Sequence, residues 1–232
     1  MKIIKLKKYG KIFLVLFCTI IGGYGIFTAP ESDKKTLEQE LIQNQQILQQ
    51  VNSVAQAKTK PIEDTEPQSI KKGSQKAKKK TVSVIGDSIF LGAAPSFQKI
   101  QKNTFIDAKI SRQVYQGIDV AKKMKKKGKL GNIVIISLGT NGKFNESTGQ
   151  KLINCLGKKR TVYWINVYGK NISWQKEVNS TIQKLAAKNS NVHVIPWTKE
   201  AKKHPGWFYQ DGTHLNPKGQ DGFSRFVKKQ IQ

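Results

Sequence analysis

Residues 81–232 are predicted to form a three-layer α/β/α sandwich around a central five-stranded parallel sheet. Three observations carry this expectation. Short β-branched runs alternate with segments whose apolar residues recur at helical spacing. The stretch Asn132-Ile133-Val134-Ile135-Ile136-Ser137-Leu138 is continuously apolar at its centre, as a strand buried on both faces of a parallel sheet must be. And the apolar runs end in polar or glycine corners, Gly86-Asp87-Ser88, Ser111-Arg112-Gln113 and Gly139-Thr140-Asn141, before new segments begin.

The chain divides into residues 1–30, 31–80 and 81–232. In the first part, Lys2, Lys5, Lys7, Lys8 and Lys11 precede an apolar stretch over residues 12–29 broken only by Thr19, Thr28 and three glycines. Basic residues before an apolar run of this length fit a signal peptide or a single membrane anchor. The exit Phe27-Thr28-Ala29 is not a small-x-small cleavage site and Pro30 follows directly, which favours the anchor. The lysines should then stay in the cytoplasm and everything after Pro30 lie outside, or be secreted if cleavage does occur.

Residues 31–80 are polar and low in aromatics. Leu37, Leu41, Asn44, Leu48, Val51 and Ala55 fall at alternating spacings of four and three. That seam, with an asparagine at one core position, fits either a short self-associating coiled coil or a solvated helix. Residues 58–80 hold two prolines, several acids and a lysine run, and read as a flexible tether.

In the third part, strands are expected at 81–85, 104–110, 132–138, 161–167 and 192–197. Helices are expected at 89–100 despite Pro95, at 114–127, and at 146–156 with Gly157 as its cap. A further helix is expected after Ser173, with Trp174, Val178, Ile182 and Leu185 facing inward. Asn216-Pro217 should open the last one, with Phe223, Phe226 and Val227 on its inner face.

The net charge is +26. Residues 81–232 alone hold 26 Lys+Arg against 8 Asp+Glu, giving +18. Such a field concentrates polyanions. An exported domain meets anionic lipid or anionic wall polymers, so nucleic acid is not expected as the partner. With Cys18 in the apolar run, Cys155 is left alone and no intrachain disulfide is expected.

Ser88 stands where a strand gives way to a helix at the carboxyl edge of the sheet, a corner at which backbone N–H groups can hold an oxyanion. A serine nucleophile needs a general base, usually a histidine oriented by a carboxylate. Three histidines are available. His193 alternates within a strand and His204 sits in a polar loop, whereas His214 follows Asp211 by three residues in Asp211-Gly212-Thr213-His214. A single local element could thus supply both carboxylate and imidazole.

Gly-Asp-Ser at the domain start, Gly-Thr-Asn after a central strand and Asp-x-x-His near the end together resemble the SGNH (GDSL-type) hydrolase family. The segments Ile110-Ser111-Arg112-Gln113 and Trp164-Ile165-Asn166-Val167, with Trp174 and Glu177-Val178-Asn179, look most like the extracellular domain of peptidoglycan O-acetyltransferases. The resemblance implies the flavodoxin-like SGNH fold, with Ser88 as nucleophile, His214 as base and Asp211 as its partner. It implies an oxyanion hole from the backbone N–H of Ser88, a backbone N–H at Ser111 and the side-chain amide of Asn141. Ser111 departs from the family, which has glycine at that place. Asp87, Arg112, Gln113, Trp207 and Tyr209 are the candidate substrate contacts, with core packing the alternative for the aromatics. No metal or cofactor is implied. The expected activity is transfer of an acetyl group to cell-wall glycan outside a Gram-positive-like bacterial membrane, the donor coming from a separate multi-pass membrane protein. An O-acetylesterase or small-ester esterase with the same triad, and a non-catalytic basic wall-binding module, are the alternatives.

Overall fold

The computed structural model describes residues 31–57 and 81–232. The expected anchor (1–30) and tether (58–80) lie outside the described residues. Among the described residues no helix is long and apolar enough to cross a membrane.

Five parallel strands, β1 (Val82–Gly86), β2 (Thr104–Ala108), β3 (Ile133–Ser137), β4 (Thr161–Ile165) and β5 (Val192–Ile195), form one sheet in the order β2-β1-β3-β4-β5. The order reverses between β1 and β3, and in doubly wound sheets ligands sit beyond the carboxyl ends of the strands at such a point. Alternate side chains of each strand enter opposite layers. Val84, Ile135 and Ile165 face α2 (Ser88–Ile100) and α7 (Pro217–Gln230), where Phe90, Phe97 and Phe223 fill the core. Ile85, Ile136 and Trp164 face α3 (Val114–Lys126), α4 (Glu146–Leu156) and α5 (Gln175–Lys188). A short α6 (Trp197–Ala201) follows β5.

The differences from expectation are local. Ser173 does not cap α5; Trp174 holds the cap position without a side-chain cap bond, and its indole N–H donates to the Gly139 carbonyl at 3.3 Å. Residues 196 and 197 leave the fifth strand, because Pro196 cannot donate to a ladder and Trp197 begins α6. Gly86 is required for space: a Cβ there would meet the Phe90 Cβ at 2.8 Å.

The larger difference concerns residues 31–57. They form α1 (Glu31–Ala57), and its seam is turned onto the domain itself, against α2 and β2. Leu37, Leu41, Asn44 and Leu48 are buried there, whereas Val51 stays exposed. The polar member of the seam has a specific task. Pro95 lies inside α2 and has no N–H to give the carbonyl four residues back, that of Leu91. Asn44 Nδ2 donates to the Leu91 carbonyl at 3.4 Å and to that of Gly92 at 3.3 Å.

Candidate functional site

At the end of β1 the Asp87 N–H donates to the Ser137 carbonyl at 3.0 Å, which ties the corner to β3. Asp87 is the N-cap of α2, its Oδ1 accepting the Ile89 N–H at 3.0 Å. Ser88 is therefore the first residue of α2, at the positive end of the helix dipole. Burial, the strongest influence, pushes the Asp87 carboxyl up to about 6, against the opposing pull of the Ile89 N–H, the Thr140 hydroxyl, His214 and Arg112.

The partner comes from a hairpin just ahead of α7. Phe208 bridges Leu215, and the Tyr209 N–H donates to the His214 carbonyl at 2.8 Å. Within the turn, Asp211 Oδ1 accepts the N–H groups of Thr213 at 2.8 Å and His214 at 2.9 Å. Its Oδ2 lies 2.6 Å from His214 Nδ1, and His214 Nε2 lies 3.0 Å from Ser88 Oγ. Burial works to raise the Asp211 carboxyl, but the bond to His214, the electrostatic pull of that ring and the two N–H donors outweigh it, and it lies below the ordinary carboxylate range. With Nδ1–H held by this carboxylate, Nε2 is the nitrogen left to accept a proton from Ser88.

Asn141 stands beside this line. Its Nδ2 donates to Asp87 Oδ2 at 3.4 Å and to the Arg112 carbonyl at 3.3 Å, both long bonds. Ser111, in the loop between β2 and α3, has φ +56°, the left-handed conformation that favours glycine. The backbone at this position thus has the shape glycine would give it, although the residue is serine.

Of the remaining candidates, Arg112, Trp207 and Tyr209 bond or stack within the protein. The Arg112 guanidinium is turned inward, donating to the carbonyls of Gly86 at 3.0 Å and Asp107 at 2.5 Å and pairing with the Asp107 carboxylate at 2.6 Å. It ties β1 to β2 beneath the loop that holds Ser111 and is buried. Gln113 opens α3, its N–H donating to Gln116 Oε1 at 2.8 Å. Trp207 is half-buried, stacking on His204 with ring centroids 3.8 Å apart and packing against the core beside α7. The Tyr209 hydroxyl donates to Glu40 of α1 at 2.9 Å, and burial together with that carboxylate pushes the phenol up to about 12. His193 is exposed beside Tyr163, and His204 faces Glu200 at 3.2 Å. Among the described residues no group of three or more His, Cys, Asp or Glu could hold a metal ion. Sequence reasoning missed Asp107, Thr140 and Glu40; only the motif position of Thr140, between Gly139 and Asn141, offered a signal for any of them.

A groove of about 470 Å³ runs beside β2 between α1 and α3. Lys109, Lys123, Lys127 and Lys129 are among its lining residues, so part of the positive charge is gathered there.

No protein-family model matches the chain. It is 33% identical over 188 residues to the putative peptidoglycan O-acetyltransferase YrhL of Bacillus subtilis, covering 81% of this chain and 29% of that protein. It is 31% identical over 156 residues to the O-acetyltransferase OatA of Staphylococcus aureus, covering 67% of this chain and 26% of that protein. The chain thus spans under a third of the length of these curated relatives. The Bacillus match is longer than residues 81–232 and so includes residues ahead of Thr81. Among solved structures, the C-terminal catalytic domain of Streptococcus pneumoniae peptidoglycan O-acetyltransferase A superimposes with a TM-score of 0.60 at 19% identity, covering 66% of this chain and 93% of that one. A carbohydrate esterase family 3 protein from Talaromyces cellulolyticus gives 0.54 at 15% identity, covering 66% and 96%. Fold neighbours and sequence relatives agree with the motifs: residues 81–232 are a domain of the SGNH (GDSL) type, the type of serine acyltransferases and esterases, and are similar to the peptidoglycan O-acetyltransferases.

Proposed function

We propose that the chain is a serine acyltransferase that moves an acetyl group onto a hydroxyl of cell-wall glycan. The observation that carries this is the continuous line from Asp211 through His214 to Ser88, with contacts of 2.6 and 3.0 Å, at the carboxyl edge of the sheet. The names of its sequence relatives supply the substrate class.

In this reading Ser88 Oγ attacks the carbonyl carbon of an acetyl ester or thioester while its proton passes to His214 Nε2. Asp211 holds the resulting imidazolium. The oxyanion is received by the N–H of Ser88, a backbone N–H at Ser111 and the Asn141 amide, whose long bonds to Asp87 and Arg112 leave it free to turn. Collapse expels the donor's alkoxide or thiolate, which takes the proton from His214 and leaves acetyl-Ser88. The glycan hydroxyl then gives its proton to His214 and attacks the acetyl carbon, and the departing Ser88 Oγ takes that proton back from His214. Residues 1–30 would anchor the domain outside the membrane, a separate multi-pass protein would present the donor, and the lysine-lined groove supports contact with anionic wall polymers or lipids.

The test uses the full-length chain in detergent with an activated acetyl ester and wall-glycan oligomers, read by mass spectrometry. Acetylated oligomer that disappears with Ser88→Ala is the expected result. Acetate release alone would replace transferase with esterase. Equal behaviour of wild type and Ser88→Ala would leave only a wall-binding role.

A further inference from the structure

We propose that α1 belongs to the catalytic unit and that Glu40 is a positioning residue for the Asp211–His214 pair; the inference rests on the Ser88 reading above. One Glu40 carboxylate oxygen accepts the Tyr209 hydroxyl at 2.9 Å, and the other accepts from Gln220 Nε2. Gln220 Nε2 also donates to the Leu215 carbonyl at 3.2 Å. Tyr209 and Leu215 are the two flanks of the turn that holds Asp211 and His214. A single carboxylate thus grips both arms of that hairpin, one directly and one through Gln220. Hydrogen bonds to an ionised acceptor are roughly twice as strong as neutral ones, which suits a carboxylate to this task.

The grip has meaning only if α1 is itself fixed, and independent contacts fix it. Glu40, Asn44, Leu48 and Asn52 are spaced four apart and so lie along one side of the helix. Asn44 meets the carbonyl that Pro95 left without its helical partner, Leu48 is buried, and Asn52 Nδ2 donates to the Ile106 carbonyl of β2 at 3.0 Å. Leu37 and Leu41 are buried on either side of Glu40. The helix therefore reaches from β2, across the start of α2, to the hairpin. His214 is 126 residues from Ser88 in the chain, and its ring must be held within hydrogen-bond reach of the hydroxyl. A brace from α1 on both arms of the turn removes the freedom of this short hairpin to tilt away.

The test compares the full-length wild type with Tyr209→Phe, Glu40→Ala and the double variant. Tyr209→Phe removes one hydroxyl and keeps the ring in place, so it reports even if Glu40→Ala folds poorly. Three readouts are needed: kcat and KM for acetyl-ester turnover, the rate at which phenylmethanesulfonyl fluoride modifies Ser88, and amide exchange of residues 209–215. Each single variant is expected to lower kcat and Ser88 sulfonylation together, roughly ten- to a hundredfold, with KM unchanged. Exchange should quicken in residues 209–215 and stay at wild-type rates in β1 and β3. The double variant should fall no further than Glu40→Ala alone, because that change already removes the Tyr209 contact. Wild-type kcat with unchanged exchange in both single variants, or a double variant that multiplies the two losses, overturns the proposal. A wild-type chain that turns over no ester and whose Ser88 is not sulfonylated overturns the acyl-transfer reading instead, and the exchange arm still decides whether Glu40 braces the hairpin.

Discussion

Asp87 gives this fold an unusual pH signature. The side chain is fully buried, and its carboxyl is raised from 3.8 to about 6. Because the folded-state value lies above the unfolded one, the folded chain holds this proton more tightly than the unfolded chain does. The resulting stabilisation is fully present below pH 3.8 and is lost as pH rises through about 6. At about 1.4 kcal/mol for each pH unit, the span from 3.8 to about 6 amounts to about 3 kcal/mol. In Asp87→Asn the remaining oxygen still accepts the Ile89 N–H, so the cap of α2 survives while the titration does not. Thermal melting of both proteins between pH 4 and 7, followed by tryptophan fluorescence, isolates the group. The stability of wild type minus that of Asp87→Asn should fall with rising pH, by roughly 6–12 °C in Tm for a domain of this size. A flat difference, or one that rises with pH, would refute the reasoning.

Two further outcomes follow from the site. In Asp211→Asn the oxygen that receives the Thr213 and His214 N–H groups is kept, but an amide N–H now faces His214 Nδ1. The ring must then carry its proton on Nε2, against Ser88, and ester turnover should drop about 10⁴-fold with little change in Tm; a loss under tenfold would deny Asp211 its orienting role. Ser111 pays the left-handed penalty at φ +56°, so Ser111→Gly should stabilise the fold by roughly 1 kcal/mol. A melting temperature at or below that of wild type would show that the serine side chain compensates.

Much of this architecture could be read in the sequence because its signals are local. The runs around Val84 and Ile135 have one reasonable home, a strand buried on both faces, and Gly-Asp-Ser and Asp-x-x-His each lie within a few residues. The seam of α1 was ambiguous for a physical reason: spacings of four and three describe any helix with one apolar face, whether it meets a copy of itself or its own domain. In the structure Leu37, Leu41 and Leu48 are buried against the domain, and Asn44 reaches the Leu91 carbonyl that Pro95 cannot satisfy, a partner 47 residues away. Arg112 likewise could be read as a substrate contact, because arginine is usually exposed. Its inward turn depends on Asp107 and on the Gly86 carbonyl of a neighbouring strand, which meet it only once the sheet has formed.

The outer flank of β2 has a wider consequence. β2 pairs with β1 on one side only, and a strand with an open flank is a template on which another chain can polymerise. Here Asn52 of α1 occupies the Ile106 carbonyl on that flank, and lysines stand alongside. Protection against strand addition therefore resides partly in a segment that precedes the sandwich in the chain. A version cut at Thr81 would expose the template together with the apolar patch under α1, and its aggregation would reflect a missing guard, with the sandwich itself unchanged.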